Sequence, residues 1–478
     1  MAINRSGALL TQGPLLRATL AFGWPLVAGM AFHSLFNLVD LYIVGQLPDP
    51  GIAIAAASIP SLVNSIPMIF YNGIVNAAIA LVARHSGTGN HRRGNYEAGQ
   101  GILLSIVLGV LLGVPPYLFA RQICAALGAE PGPVLDQATT YLEVMSLGTV
   151  TMFLLLQVTG AIRAAGNSTL PMAVLIGANI LNVVLAVWWV FGGLGIPAMG
   201  VVGAALATVV SRGIAVLPAM WALWRGFAGL RIRGFALRWR TQWQMLKIGV
   251  PSCGQFLVRM IQYLYLLFFV AQAAPKDQVV AAQAAFGIGI RLDSFALFCG
   301  LGWAAAASTL VGQNLGVGQR ERALRASWIA VGLNAATMLL FAALYVLFSE
   351  PLIRFLGHDS GPGGGDFASV VRIGRTYLEV SSASYVYLAV GIVLSQAMAG
   401  AGSTKAAFWI ETAGYGFLGL PLAWVVSTHA QSLGGLRALW LAVLVTHVGV
   451  AAAYVIWFRM GRWIGALGAP SAELRRAA

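Results

Sequence analysis

Asp40 stands inside an apolar run that begins near Ala18. Bringing a charged side chain to the middle of a bilayer costs at least ~2.5–3.5 kcal/mol on insertion scales, so such a residue has a use or a partner. His33, Asn37 and Asp40 recur at i, i+4 and i+7 and so share one helix face. Water-poor surroundings favour the neutral form of any carboxyl, which makes the proton a natural ion for such a group to exchange. The competing use is structural, a carboxylate satisfied by Asn37 or by an amide of the next span. That span offers Asn72 and Asn76, with Ser61, Ser65 and Met68 near the same face, and the fifth offers Asn179 and Asn182. Amides in such places commonly bond between helices.

Gln255, Arg259 and Gln262 repeat the i, i+4, i+7 spacing far along the chain. Arg259 does not deprotonate in a protein, so it is a fixed positive charge. Glu411 and Asp293 are its available partners; turned to a cavity, it would draw the anionic part of a bound molecule. The ion pair is the plainer reading. Arg291 and Asp293 read as a structural pair or as residues packed near a helix end.

The elements that must position these residues follow from composition. The chain has 478 residues, 59% hydrophobic and only 9% charged, with a mean hydropathy of +0.80. Soluble domains carry about 25% charged residues; a chain this apolar needs the bilayer as solvent. Apolar stretches bounded by charge or Gly/Pro fall at 18–46, 52–83, 99–124, 138–163, 170–192, 200–224, 246–272, 279–311, 327–349, 374–400, 406–428 and 435–458. They predict twelve membrane-spanning helices. No compact apolar core with a cleavage site opens the sequence, so no removed signal peptide is expected.

Lys and Arg accumulate in cytoplasmic loops. With a cytoplasmic N-terminus, alternation puts 20 of the 29 on the cytoplasmic side and 6 on the other, leaving Arg212, Arg259 and Arg291 within spans. This split explains the net charge of +14 without nucleic acid, for which no motif is present. The basic stretch 225–247 reads as an amphipathic connector on anionic headgroups, and 357–366 as a flexible outer loop.

The halves resemble each other. FGWPLV (22–27) answers IGVPSC (248–253), and VARHSGTGN (82–90) answers VGQNLGVGQ (311–319). YLEVMS (141–146) answers YLEVSS (377–382), and AIRAAGNST (161–169) answers AMAGAGSTK (397–405). The order is kept, at offsets of 226 to 236 residues. Six spans per copy is an even number, so the copies enter the membrane from the same side: parallel repeats, the plan of a rocking transporter. The predicted organisation is a six-helix lobe over 1–225, the basic connector 226–245 and a second six-helix lobe over 246–478. Glu143 and Glu379 sit in the two YLEV copies and are assigned to lobe building.

Other chemistry is poorly supported. Cys124, Cys253 and Cys299 are far apart, outside any CxxC or Cys/His cluster, and read as small core residues. Gly87/Gly89 and Gly316/Gly318 have no preceding strand and no following GK[ST], so they form tight turns rather than a phosphate loop. Without an ATP site, an ion gradient is the expected driving force. The interior aromatics read as interfacial or packing residues.

Pro25 followed by Asp40, the block NVVLAVWWVFGGLGIPAMGVVGAALAT (182–208), AAAASTLVGQNLGVGQRERALRAS (304–327) and AGAGSTKAAF (399–408) carry a resemblance. The chain resembles the multidrug and toxic compound extrusion (MATE) family over nearly its whole length. The resemblance implies an all-α membrane protein of two six-helix lobes that exports organic, often cationic, compounds in exchange for H⁺ or Na⁺. It raises Asn182, which the family commonly follows four residues on with Asp; here that position is Ala186. Many members carry Glu eight residues after the seventh-span proline, where this chain has Arg259. Both departures weaken the case for a Na⁺ site and for cation binding in the C-terminal half.

The expected function is therefore an H⁺-coupled multidrug antiporter, with Na⁺ as the alternative ion and no cofactor. Asp40 and Asn182 are its expected ion-coupling residues. His33, Asn37, Asn72, Asn179, Gln255, Arg259, Gln262 and Glu411 are its expected cavity residues. It would act as a monomer in the cytoplasmic (inner) membrane with both termini cytoplasmic. Its partners would be small organic substrates and lipid, not nucleic acid or ATP. A lipid-linked saccharide flippase of the same broad superfamily and a polytopic membrane enzyme are the alternatives. Arg259 hints at the flippase; the helix count and VGQNLG do not.

Overall fold

The computed structural model describes residues 10–47, 50–193, 195–226, 229–232, 237–357 and 367–465. Arg5, Arg233, Arg475, Arg476 and nearly all of the 357–366 loop lie outside them, as does the side chain of Asn37. Apart from one isolated bridge, Gly193 with Ile196, the described residues are helices, turns and connections. In the bilayer interior a helix satisfies its own backbone groups, which is why apolar runs take this form.

The spans are α1 (Leu15–Gly45), α2 (Pro50–Gly87), α3 (His91–Leu118), α4 (Pro133–Ala164), α5 (Thr169–Phe191), α6 (Gly200–Arg225), α7 (Trp239–Ala273), α8 (Val279–Gly316), α9 (Arg320–Leu347), α10 (Phe367–Gly400), α11 (404–428) and α12 (Leu436–Met460). Among the described residues, eleven helices are long and apolar enough to cross a membrane unbroken. The twelfth span, α11, runs as α-helix Thr404–Glu411, π-helix Thr412–Gly419 and α-helix Leu420–Thr428, so no single piece reaches full length. Helices α3, α7, α9 and α10 begin about seven residues before their apolar runs. The first turns of α3, α7 and α9 are polar or basic, which hydropathy does not register as helix.

The described parts of the basic stretch are docked. Leu230 and Ile232 are buried in the core that α2, α3, α4 and α6 share. Asn95 Oδ1 accepts from the Arg231 backbone N–H at 2.7 Å, and Gln100 Oε1 from that of Arg238 at 3.2 Å. Trp239 and Trp243 then stack at 6.3 Å on the exposed first turns of α7, with Lys247 over the Trp243 ring.

The sequence repeat is also a repeat of environment. Helices α2 and α8 are the most buried spans, at 67% and 72%; α4 and α10 are both at 61%; α3 and α9 are largely exposed, at 33% and 28%. The paired turns use the same hydrogen bonds. Gly89 and Gly318 have φ of 71° and 78°. Asn90 N–H donates to His85 at 3.0 Å, and Gln319 N–H donates to Asn314 at 2.9 Å. Gly166 and Gly402 end their helices in the same way, with Asn167 donating to Ile162 and Ser403 to Met398. A left-handed residue closing a helix is the position glycine serves at least cost.

By packing the chain forms two compact units, Met1–Cys253 with Gly312–Gln319, and Gly254–Val311 with Arg320–Ala478. In the first unit the end of α8 lies against α2 and α4: a Cβ on Gly87 would overlap the Gln313 carbonyl, and one on Gly316 the Arg84 carbonyl. Gln313 Nε2 donates to the Ala164 carbonyl at 2.9 Å in the same place. In the second unit the core is aromatic, with Phe286 stacked on Trp440 at 5.5 Å and Tyr377 edge-on to Trp440 at 4.7 Å.

Gly316→Val should therefore lower the thermal midpoint of the detergent-solubilised protein by the equivalent of roughly 1–3 kcal/mol, because backbone cannot give way as a side chain can. Gly332→Ala, where nothing lies near the added carbon, should leave the midpoint unchanged or slightly higher. Equal effects would remove the close-packing explanation.

Candidate functional site

Asp40 lies near the end of α1, where α5 and α6 meet it. Asn182 stands between that carboxylate and Thr208. Turned so that both ends of the amide are satisfied, its nitrogen donates to Asp40 Oδ1 at 2.8 Å and Oδ2 at 3.2 Å, and its oxygen lies 3.1 Å from the Thr208 backbone nitrogen and hydroxyl. The Thr208 hydroxyl also donates to the Ala204 carbonyl at 3.0 Å. The structure brings together the two residues expected to couple an ion, from positions 142 apart in sequence.

Ala186 follows Asn182 by one turn and is buried with Ile43, Val190 and Ala207. The position one turn after Asn182 is filled by apolar packing, so among the described residues Asn182 faces a single carboxylate, Asp40. His33, two turns before Asp40 on α1, hydrogen-bonds Asn179 of α5. Asn72 donates to the Met68 carbonyl of its own helix at 2.9 Å and bonds its neighbour Tyr71. Asn76 is buried and donates to Ser252 at 3.1 Å.

Three members of the site were not singled out from sequence. Thr208 closes the motif block 182–208 and meets the Asn182 amide. Tyr141 of α4 lies within electrostatic reach of Asp40 and bonds Ser61. Arg212, four residues after Thr208, acts on Asp40, Tyr71 and Tyr141 together. The signal for Arg212 was available: an arginine inside a span is as costly as an aspartate.

In the C-terminal half, Arg259 forms a two-pronged ion pair with Glu411. Nε donates to Oε2 at 2.9 Å, and the second nitrogen meets Oε1. Tyr454 of α12 donates to the same Oε1 at 2.8 Å, and Glu411 is fully buried. The π-helical turn of α11 begins at the next residue; its Tyr415 carbonyl accepts from the Leu420 backbone N–H and from the Tyr265 hydroxyl, the latter at 3.0 Å. Gln255 donates to the Thr404 carbonyl and accepts from Ser395, both at 3.1 Å, bracing α7 against α10 and α11. Gln262 is buried on the same helix.

Asp293 pairs with neither arginine. Two tyrosine hydroxyls of α10 donate to it, Tyr377 to Oδ2 and Tyr385 to Oδ1. Arg291 is exposed: residues two apart point to different sides of a helix. Glu379 of the repeated YLEV is likewise an exposed partner of Arg375, at 2.8 Å, rather than a buried brace.

Comparison with known proteins bears on the family and the fold. The MatE family model matches residues 25–188 and 251–425. The chain is 26% identical over 460 residues to a probable multidrug resistance protein NorM of Mesorhizobium japonicum, covering 94% of both chains. It is 25% identical to a protein of Shewanella oneidensis named FAD transporter, covering 93% of this chain and 95% of the other. Its fold matches that of a MOP superfamily transporter from Pyrococcus furiosus with a TM-score of 0.85, at 21% identity over 95% of this chain and 97% of that one.

The Arg259–Glu411 pair makes a thermodynamic prediction. Removing one member, by Arg259→Ala or Glu411→Ala, should cost ~3–5 kcal/mol, because a buried charge is left alone. The double replacement Arg259→Met with Glu411→Leu should cost less than either Arg259→Met or Glu411→Leu alone. Thermal unfolding in detergent of these three variants and the wild type, read as a double-mutant cycle, checks this; additive losses would argue against the coupling.

Proposed function

The chain belongs to the MatE family of multidrug transporters, and from that premise we propose that it is a secondary active antiporter exporting small organic, often cationic, compounds in exchange for H⁺. It works in the cytoplasmic membrane with both termini cytoplasmic, as a monomer and without ATP. The Asp40–Asn182–Thr208 arrangement carries this reading.

A Na⁺ ion at Asp40 would need oxygen ligands around it. With its amide nitrogen toward the carboxylate, Asn182 offers Asp40 an N–H donor rather than an oxygen, and the position one turn on is Ala186. A proton needs only the carboxylate. Ionised Asp40 accepts from Asn182 and ties α1 to α5 and α6. Protonation removes its charge and weakens those charge-assisted bonds, so α1 is held differently in the two states. Pro25, inside α1, removes one backbone hydrogen bond and gives the helix a point at which to bend. The residue that hinted at a flippase, Arg259, has its charge engaged by Glu411.

The test is efflux of a fluorescent dye or a fluoroquinolone from proteoliposomes under imposed gradients. A pH gradient should drive transport and a Na⁺ gradient should not. Asp40→Asn should fall to background. Asn182→Ala should retain measurable transport, reduced about tenfold, the effect of ~1.4 kcal/mol, since it removes a positioning group and not the proton site. Normal transport by Asp40→Asn with its pH dependence intact would sink the assignment.

A further inference from the structure

Helices α11 and α12 part to leave a groove of about 450 Å³ in the C-terminal unit. They meet at its floor, where a Cβ on Gly414 would overlap the Val450 side chain and one on Gly449 would crowd Leu418. Its walls are Ala406, Trp409, Ile410 and Ala413 on one side and Ala453 and Trp457 on the other. The groove is open, with Trp409 exposed at 64%. It borders the exposed stripe of α11, which runs through Trp409, Ala413, Phe417, Leu420 and Trp424. Glu411, two residues from both Trp409 and Ala413, points to the other side, into the ion pair with Arg259. An exposed stripe this apolar, on a membrane-spanning helix, faces lipid.

The two ends of the groove differ. Where α11 begins and α12 ends, each rim closes on a cation: Lys405 one turn before Trp409, and Arg459 one turn after Ile456. Residues three or four apart share a helix face, so each cation continues its apolar rim. Both are exposed, and among the described residues no ion pair within 4.0 Å includes either. Trp457, three residues before the end of α12, lines the groove, and its indole Nε1 is buried without a hydrogen-bond partner. An unpaired buried donor is costly, and an acceptor brought to this level would relieve it. Beyond it the groove offers only apolar surface as far as Leu418 and Gly449. Ala406 and Leu418 are 12 residues apart, roughly 18 Å at the ~1.5 Å rise of a helix. One leaflet, half of a ~30 Å hydrocarbon core, has about that depth.

We propose that this groove is a binding site for one anionic phospholipid. The order of cations, indole donor and apolar floor is the order of phosphate, ester carbonyl and acyl chain. The phosphate takes Lys405 and Arg459, an ester carbonyl accepts from Trp457, and the chain lies between α11 and α12. A choline headgroup would bring a third cation to the same place, so the site favours lipids of net negative charge. Ala413, Gly414 and Leu418 belong to the π-helical stretch that follows Glu411, so a seated chain packs on that stretch and stabilises the C-terminal unit. The site is independent of the coupling ion and of the cargo.

The test uses the full chain, stripped of lipid in detergent and supplied with dioleoylphosphatidylglycerol, dioleoylphosphatidylcholine or glycerol 3-phosphate. Native mass spectrometry counts what is retained, and thermal midpoints are recorded alongside. Wild type should retain one phosphatidylglycerol per chain, about tenfold in preference to phosphatidylcholine, with its midpoint raised by about 5 °C. Ala453→Phe, which fills the groove, should lose both effects. Ala452→Phe, on the neighbouring exposed face, should keep them, and Lys405→Gln with Arg459→Gln should hold the two lipids equally. No retained phosphatidylglycerol, equal retention of both lipids by wild type, or equal behaviour of the two phenylalanine variants overturns the inference. So does a midpoint rise with glycerol 3-phosphate matching that with the lipid, which would make this a free-phosphate site. A doubled mass without lipid that Ala453→Phe returns to one chain also overturns it, because the groove would then seat a second copy. If Ala453→Phe does not fold, the double glutamine variant decides: an unchanged preference for phosphatidylglycerol overturns the inference.

Discussion

A charge inside the bilayer must be met by something, because water is not there to meet it. This chain meets its interior charges in different ways, and each solution decides what the residue can do. Arg259 and Glu411 meet each other, with Tyr454 completing the carboxylate; that arrangement stabilises a packed half and leaves little to exchange. Asp293 is met by two tyrosine hydroxyls of α10. Asp40 is met by a neutral amide that is itself held by a neighbouring helix. Only the last combines an ionisable group with a partner that still has a use for its other end when the carboxylate is neutral.

The backbone obeys the same constraint. Spans are helical because each N–H and C=O must be satisfied within the span. The exceptions are covered locally. In the π-helical stretch of α11 the Tyr415 carbonyl keeps a backbone donor, the Leu420 N–H, and takes the Tyr265 hydroxyl as well. The helix ends at Gly89, Gly166, Gly318 and Gly402 close on left-handed glycines with matching hydrogen bonds. That the same solutions recur at equivalent places of both halves, with the same ranking of buried and exposed spans, is what a duplicated six-helix unit would retain.

The halves have nonetheless diverged where chemistry is concerned. Pro25 and Pro251 occupy matching places in α1 and α7, yet α1 goes on to Asp40 and α7 to Arg259. The sign of the interior charge is reversed, and the second helix's charge is engaged by Glu411 of α11. The second half carries a buried ion pair beside the π-helical stretch of α11.

Much of this was legible in the order of residues. Apolar runs, charge alternation and the paired motifs determine twelve spans in two like-oriented sets of six, because the bilayer fixes run length and the count of spans fixes direction. The cost of burying charge singled out Asp40 and Arg259 without any coordinates. Tertiary structure decided the partners. Glu411 rather than Asp293 for Arg259, Asn182 for Asp40, and tyrosines rather than Arg291 for Asp293 all depend on which helix faces lie together, and periodicity along one helix holds no information about its neighbour. The meeting of Asn182 with Asp40 on one side and Thr208 on the other is likewise a contact among three helices that no spacing in the chain records.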